Sequence, residues 1–279
     1  MDKVLLINKP CGMTSFDVVK KCRHIFNEKK IGHTGTLDPE ASGLLIVLLG
    51  KYTKYLPYCI KDNKRYITEF KLGYESETLD IWGNELKEVP YNELNEEDFL
   101  RVKNDFIGAI KQIPPMYSAI KYKGKKLYEY ARDNIEIERE PRDVFINALD
   151  ITKIDSRTYK LDATVSSGTY IRSLIYDIAN ALNEKAVMSS LVRVSIEDAN
   201  INKAINLEDL DETYEGIDPL LVIDKEYERV HMDDVTDIIH GIPVSLEGHS
   251  AKILIINRDM PIAIYEKRGK KYYCVRGLM

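Results

Sequence analysis

Asp38 lies in the segment Gly32-His33-Thr34-Gly35-Thr36-Leu37-Asp38-Pro39-Glu40-Ala41-Ser42-Gly43, which packs glycines, threonines, a histidine and one aspartate into a few turn-forming positions. The apolar run Leu44-Leu45-Ile46-Val47-Leu48-Leu49 follows at once, long enough for one buried strand and too short to span a bilayer. This spacing puts Asp38 on a constrained loop at the mouth of a buried sheet, a position where loops carry function. A carboxylate there can serve as nucleophile, base or ligand. Asp-Pro alone would only initiate a turn. The glycines do not build a phosphate loop, because no Gly-Lys-Ser/Thr follows them and the G-x-G-x-x-G spacing is absent. The four cysteines (Cys11, Cys22, Cys59, Cys274) make no C-x-x-C pair, and the five histidines lack ligand spacing. Neither a disulfide framework nor a metal site is expected, and a reducing cytosol fits.

The elements that must position Asp38 are readable from periodicity. Strands are expected at 4–7, 44–49, 65–72, 145–154, 159–166 and 188–196, with Tyr66, Thr68, Phe70 and Leu72 on one face of the third. Ser15 is expected to cap a helix that turns Val18, Val19, Cys22, Ile25 and Phe26 inward and Lys20, Lys21, Arg23 and Lys30 outward. Asn95, with Asp98 three residues on, announces a helix over 95–107. A second amphipathic helix, over 169–182, buries Ile171, Leu174, Ile175, Ile178 and Leu182. Asn206 is expected to cap a short acidic helix. Beyond residue 231 the chain changes to short strands, at 241–243, 253–256, 262–265 and 272–275.

Length and a 44% hydrophobic share suit a large domain with a real core plus a smaller one. The formal net charge is −5, which does not exclude a nucleic-acid partner, since binding needs only a local basic face. Basic residues gather at 20–30, 121–126 and 267–276, and acidic ones at 93–98, 197–198, 208–215 and 233–237. The segment 114–142 interleaves Tyr117, Lys121, Tyr122, Lys123, Lys125, Lys126, Tyr128 and Tyr130. Cations for phosphate and rings for bases suit RNA, and tyrosines buried on a helix are the competing reading. No signal peptide or membrane span is expected, and the sequence shows no repeat or low-complexity stretch.

Five ordered blocks then give a resemblance. Lys9-Pro10-Cys11-Gly12-Met13-Thr14-Ser15 matches the K-P-x-G-x-T-S opening of the TruB family, the bacterial tRNA pseudouridine-55 synthases. The segment 32–45 matches its G-H-T-G-x-L-D-P-x-A-x-G-L-L block, and Lys64-Arg65-Tyr66 its K-x-Y strand. Gln112-Ile113-Pro114-Pro115-Met116-Tyr117-Ser118-Ala119-Ile120-Lys121 resembles the Q-x-P-P-x-Y-S-A-x-K insert, and Ser167-Gly168-Thr169-Tyr170-Ile171-Arg172 the G-T-Y-I-R block. The blocks cover the chain from residue 9 to about 193. After Leu191-Val192-Arg193 the glycine and aromatic usual in the family are missing.

The resemblance implies an α/β fold. Its central sheet is mixed and largely antiparallel, flanked by helices, with a small C-terminal PUA-like β-barrel. It implies a catalytic domain over 1–226, with an RNA-gripping insert at about 113–142, and a small RNA-binding domain over 227–279. It implies isomerisation of one uridine, position 55 in the T arm of tRNA, by base flipping and cleavage and re-formation of the glycosidic bond. Asp38 is the catalytic carboxylate, acting on the ribose carbon, on the ring, or as a base. Tyr66 stacks on the base with its hydroxyl available for proton transfer, and His33 wedges into the vacated stack. Tyr170 and Leu191 line the pocket, Thr36 and Lys121 contact substrate, and Lys9 serves the loop or a phosphate. Arg172 falls in the first turn of a helix, where the macrodipole disfavours a cation. It is therefore the expected partner that keeps Asp38 ionised, and Arg172→Lys is expected to fold normally and lose turnover. No cofactor and no metal are expected, the partner is tRNA, and the protein is expected to be a cytoplasmic monomer. Two other readings stand beside this one: a non-catalytic tRNA-binding module, and a pseudouridine synthase acting on another RNA.

Overall fold

The computed structural model describes residues 1–83 and 85–279. The chain divides into two compact units, one of Met1–Pro39, Gly43–Lys61 and Glu197–Met279, the other of Glu40–Ser42 and Asp62–Ile196.

The first unit is built on the apolar run. Strand Ser42–Leu49 pairs antiparallel with Lys3–Lys9, from Lys3 opposite Leu49 to Lys9 opposite Gly43, and also with Ile31–Thr34. Leu44 to Leu49 are all fully buried. Alternate residues Leu5, Ile7, Leu45, Val47 and Leu49 meet Val18, Cys22 and Phe26 of helix Ser15–Phe26, four residues apart each time. Thr14 caps that helix, its side chain accepting from Asp17 N while Asp17 answers the Thr14 backbone. The cap is thus one residue earlier than expected, because Asp17, not residue 18, supplies the reciprocal carboxylate. Asn206 caps no helix. It extends a two-residue strand, Ile205–Asn206, that runs parallel to Lys3–Lys9, and the extended backbone that pairing needs excludes a helix there.

The same unit ends in a four-stranded sheet. Glu228–His231 runs parallel to Lys252–Asn257, which continues antiparallel through Met260–Arg268 and Lys271–Gly277. This is the C-terminal sheet expected of a PUA-like ending. The expected strand at 241–243 is replaced by Glu228–His231. Gly241 takes a left-handed backbone (φ +69°), and only the neighbouring Val244 bridges to Tyr272.

In the second unit five strands lie antiparallel in the order Ala186–Ile196, Lys64–Leu72, Thr158–Val165, Arg142–Lys153, Gly108–Gln112. Helix Glu96–Phe106 opens with the expected Asn95/Asp98 capping box, and helix Ile171–Ala181 packs on the Ala186–Ile196 strand. Phe70, Phe99 and Tyr159 form an aromatic knot in its core. Among the described residues, no helix is long and apolar enough to cross a membrane. The fold is thus the α/β arrangement of mixed, largely antiparallel strands with flanking helices.

Candidate active site

In the first unit the Asp38 loop is fastened on both sides by the Lys9–Ser15 block. Pro39 has no N–H to anchor, and its carbonyl instead accepts from Gly12 N and from Lys9 Nζ, each at 3.0 Å. Lys9 is fully buried, and its ammonium also donates to the Pro10 and Met13 carbonyls at 2.8 and 2.6 Å. A buried ammonium satisfied by three carbonyls holds a loop together, so of the two roles left to Lys9 the geometry supports the structural one. Leu37, on the near side of Asp38, is buried, and its backbone is tied to Ser15 Oγ. Gly35 makes the turn into the loop with φ +75°, which a side chain would strain. Asp38 itself is half-buried and Thr36 exposed. His33 is half-buried on Ile31–Thr34, opposite Val47.

In the second unit Tyr66 and Leu191 share a sheet face. Tyr66 stands between Ala163 and Arg193, and Leu191 faces Thr68. Tyr66 and Leu191 are each 8% exposed. Arg193 is buried beside Tyr66, and sequence reasoning gave it no role. The strand shifts register between Arg193 and Ser195, a bulge that re-aims side chains. It coincides with the place where the family pattern breaks.

The insert and the G-T-Y-I-R block are joined at the start of helix Ile171–Ala181. Gln112, buried, uses both ends of its amide on Tyr170: Oε1 accepts from Tyr170 N at 2.8 Å and Nε2 donates to Tyr170 O at 3.1 Å. No side chain of the helix's own N-cap does this work. Ser173 Oγ donates to Ile113 O at 3.0 Å. Arg172, 4% exposed, donates from its two terminal nitrogens to Thr78 O (2.8 Å) and Tyr117 O (2.9 Å), with the Asp80 carboxylate 3.8 Å away. These acceptors account for an arginine at an electropositive helix start. Lys64 Nζ reaches Ser167 Oγ at 3.2 Å, so the K-x-Y block joins the same cluster.

A cavity of about 800 Å³ lies between the insert, this helix and residues 74–79 and 85–87, lined by Ile113, Pro114, Tyr117, Ser173, Tyr176 and Asp177 among others. Burial pushes the Asp177 carboxyl up to about 6. Burial, then the 2.8 Å hydrogen bond to Glu77, raises the Tyr117 phenol. The insert tyrosines are not core residues. Tyr122 is 39% exposed, and Tyr117, Tyr128 and Tyr130 are half-buried. Lys123 lies over the Tyr122 ring, Lys125 over Tyr130, and Lys126 and Arg132 over Tyr128. Lys121 is exposed. Among the described residues, no group of three His, Cys, Asp or Glu side chains is placed to hold a metal ion.

Residues 23–171 match the family model for the TruB family pseudouridylate synthase (N terminal domain). A tRNA pseudouridine synthase B of Clostridium kluyveri is 43% identical over 275 residues, 97% of this chain and 93% of that protein. One from Clostridium perfringens is 46% identical over 213 residues, 76% of this chain and 72% of its own length. Among solved structures, a chain of a Cbf5-Nop10-Gar1 complex superposes with a TM-score of 0.72 at 24% identity, covering 99% of this chain and 85% of the other, which speaks to the fold alone.

Proposed function

The chain belongs to the TruB family of pseudouridylate synthases, and from that premise we propose that it isomerises a uridine of tRNA to pseudouridine, at position 55 in the T arm. The observation that carries the reading is the Asp38 loop, a carboxylate between two fastened residues. The 43% identity over 97% of the chain to a tRNA pseudouridine synthase B supports it.

The reaction breaks the N1–C1′ bond, turns the uracil, and joins C5 to C1′. The C5 proton leaves and N1 takes one up, so atoms and electrons balance within the nucleoside and its surroundings. A stacked uridine must first leave the helix at a cost of a few kcal/mol. In the proposed assignment His33 fills the vacated stack. Asp38, Tyr66 and Arg172 form the catalytic set, with Asp38 ionised to attack or to take a proton. Tyr66 stacks on the base, Tyr170 and Leu191 line its pocket, and Thr36 and Lys121 contact the RNA. Arg172 supplies positive charge and keeps the insert against the helix start. Residues 227–279 act as the small RNA-binding domain beside a catalytic domain over 1–226, and the protein works as a cytoplasmic monomer without a cofactor.

The test is to map pseudouridine in unmodified tRNA after incubation with the protein. Conversion confined to position 55 is expected, and Asp38→Asn should abolish it while leaving the Kd for tRNA within a few-fold. No pseudouridine, conversion elsewhere, or turnover by Asp38→Asn would overturn the reading.

A further inference from the structure

We infer that Ser15 is a positioning residue for this reaction, holding the peptide next to Asp38, and the inference rests on the function proposed above. Ser15 is 1% exposed, at the first position of helix Ser15–Phe26. Thr14 and Asp17 already complete the helix cap, so the Ser15 hydroxyl is not spent on its own helix. It accepts from Leu37 N at 2.9 Å and donates to Leu37 O at 3.3 Å. One hydroxyl thus satisfies both backbone groups of the residue before Asp38 and joins them to a helix end. The buried Leu37 side chain adds an apolar anchor at the same point. On the far side Gly12 N and Lys9 Nζ hold Pro39 O.

Asp38 is therefore bracketed by two fixed residues, and its carboxylate has little freedom beyond its own side-chain rotation. Chemistry on a flipped nucleoside needs such placement, because an error near 1 Å can cost about 100-fold in rate. Removing the Ser15 oxygen leaves the Leu37 N–H and carbonyl to find other partners, and the peptide before Asp38 turns to reach them. Substrate capture by other surfaces is untouched, so the loss belongs to the chemical step.

The experiment compares wild type, Ser15→Ala, Ser15→Thr and Leu210→Val on unmodified tRNA. Single-turnover rate, tRNA Kd and Tm are measured for each. Leu210 is buried in the hydrophobic cluster that takes up Val18, Cys22 and Phe26, and Leu210→Val serves as the control for a loss of stability alone. Ser15→Ala should lower the single-turnover rate roughly 10- to 100-fold with the Kd within about twofold, whereas Leu210→Val keeps the wild-type rate. Ser15→Thr, which keeps the hydroxyl, should recover part of the rate. A wild-type rate for Ser15→Ala overturns the inference. So does a fall no larger than that of Leu210→Val, or a loss that appears in Kd. If wild type itself makes no pseudouridine, the proposed function fails first, and the two failures are told apart.

Discussion

Among individual residues, Arg172 gains partners that the sequence does not name. The helix macrodipole disfavours a cation at its position, which made Asp38 its expected partner. The structure gives it carbonyl acceptors at Thr78 and Tyr117, which no periodicity could reveal because they lie in sequence-distant loops. Arg172→Lys is therefore not a clean removal of planarity. A lysine loses the planar two-pronged donor that gives each carbonyl its own nitrogen, and weakening either bond should cost about 1–3 kcal/mol of stability. Thermal denaturation should show a lower Tm for this variant alongside any loss of rate, where normal folding was expected from sequence. Asp177 gives a second residue-level prediction. Its carboxyl is pushed up to about 6 by burial, while in the unfolded chain it titrates near 4. The folded state thus binds the proton more tightly, and this residue's penalty is absent at low pH and grows as pH rises through 4 to 6. Asp177→Asn should leave stability at pH 4 nearly unchanged and raise it at pH 7.5. An equal effect at both pH values would mean that burial of charge is not the cause. Asp38, Tyr66 and Leu191 were legible as candidates from motif and alternation. Ser15 and Gln112 were not, because a hydroxyl or amide announces no partner until the fold supplies one.

Elements were legible where local chemistry decides them. Asn95 and Asp98 specify the start of their helix by a reciprocal cap, and both bonds form. Asn95→Ala should cost about 1 kcal/mol in denaturant titration. The strands over 64–72, 142–153 and 158–165 follow from alternation. Asn206 departed from its expected cap because strand pairing overrode a short local signal, and the 241–243 segment because Gly241 turns the backbone left-handed. The insert shows the same division. Its hairpin turn, Lys123-Gly124, has φ +47° and +86°, the left-handed pair that a two-residue turn requires. The lysines then lie along tyrosine faces that the sequence could not choose between burying and exposing. With those faces open, Lys123, Lys125 and Lys126 form a basic strip. Replacing all three by Ala should weaken tRNA binding and flatten the plot of log Kd against log salt, since fewer phosphates are neutralised. An unchanged slope would assign the strip to solvent.

For the whole molecule, neither charge nor motif order shows how the units are assembled. The first compact unit gathers three separate stretches of chain, and pairing between distant stretches leaves no local trace in a sequence. Arg229 shows what that means physically. From the C-terminal sheet it donates to the carbonyls of Asp224 (3.2 Å), Tyr227 (3.0 Å) and Ile223 (2.9 Å). The same segment pairs with Tyr58 and Ile60 far earlier in the chain. Arg229→Ala should lower Tm by roughly 2–10 °C, and a variant that melts with wild type would remove Arg229 from the framework. Lys9 has another consequence at this scale. Its amine, fully enclosed in the native protein, cannot meet an acylating reagent until the surrounding carbonyls let go. Mass-spectrometric timing of Lys9 acylation would serve as an internal clock for opening of the Asp38 loop, running far behind exposed Lys121 and catching up only as the fold is lost.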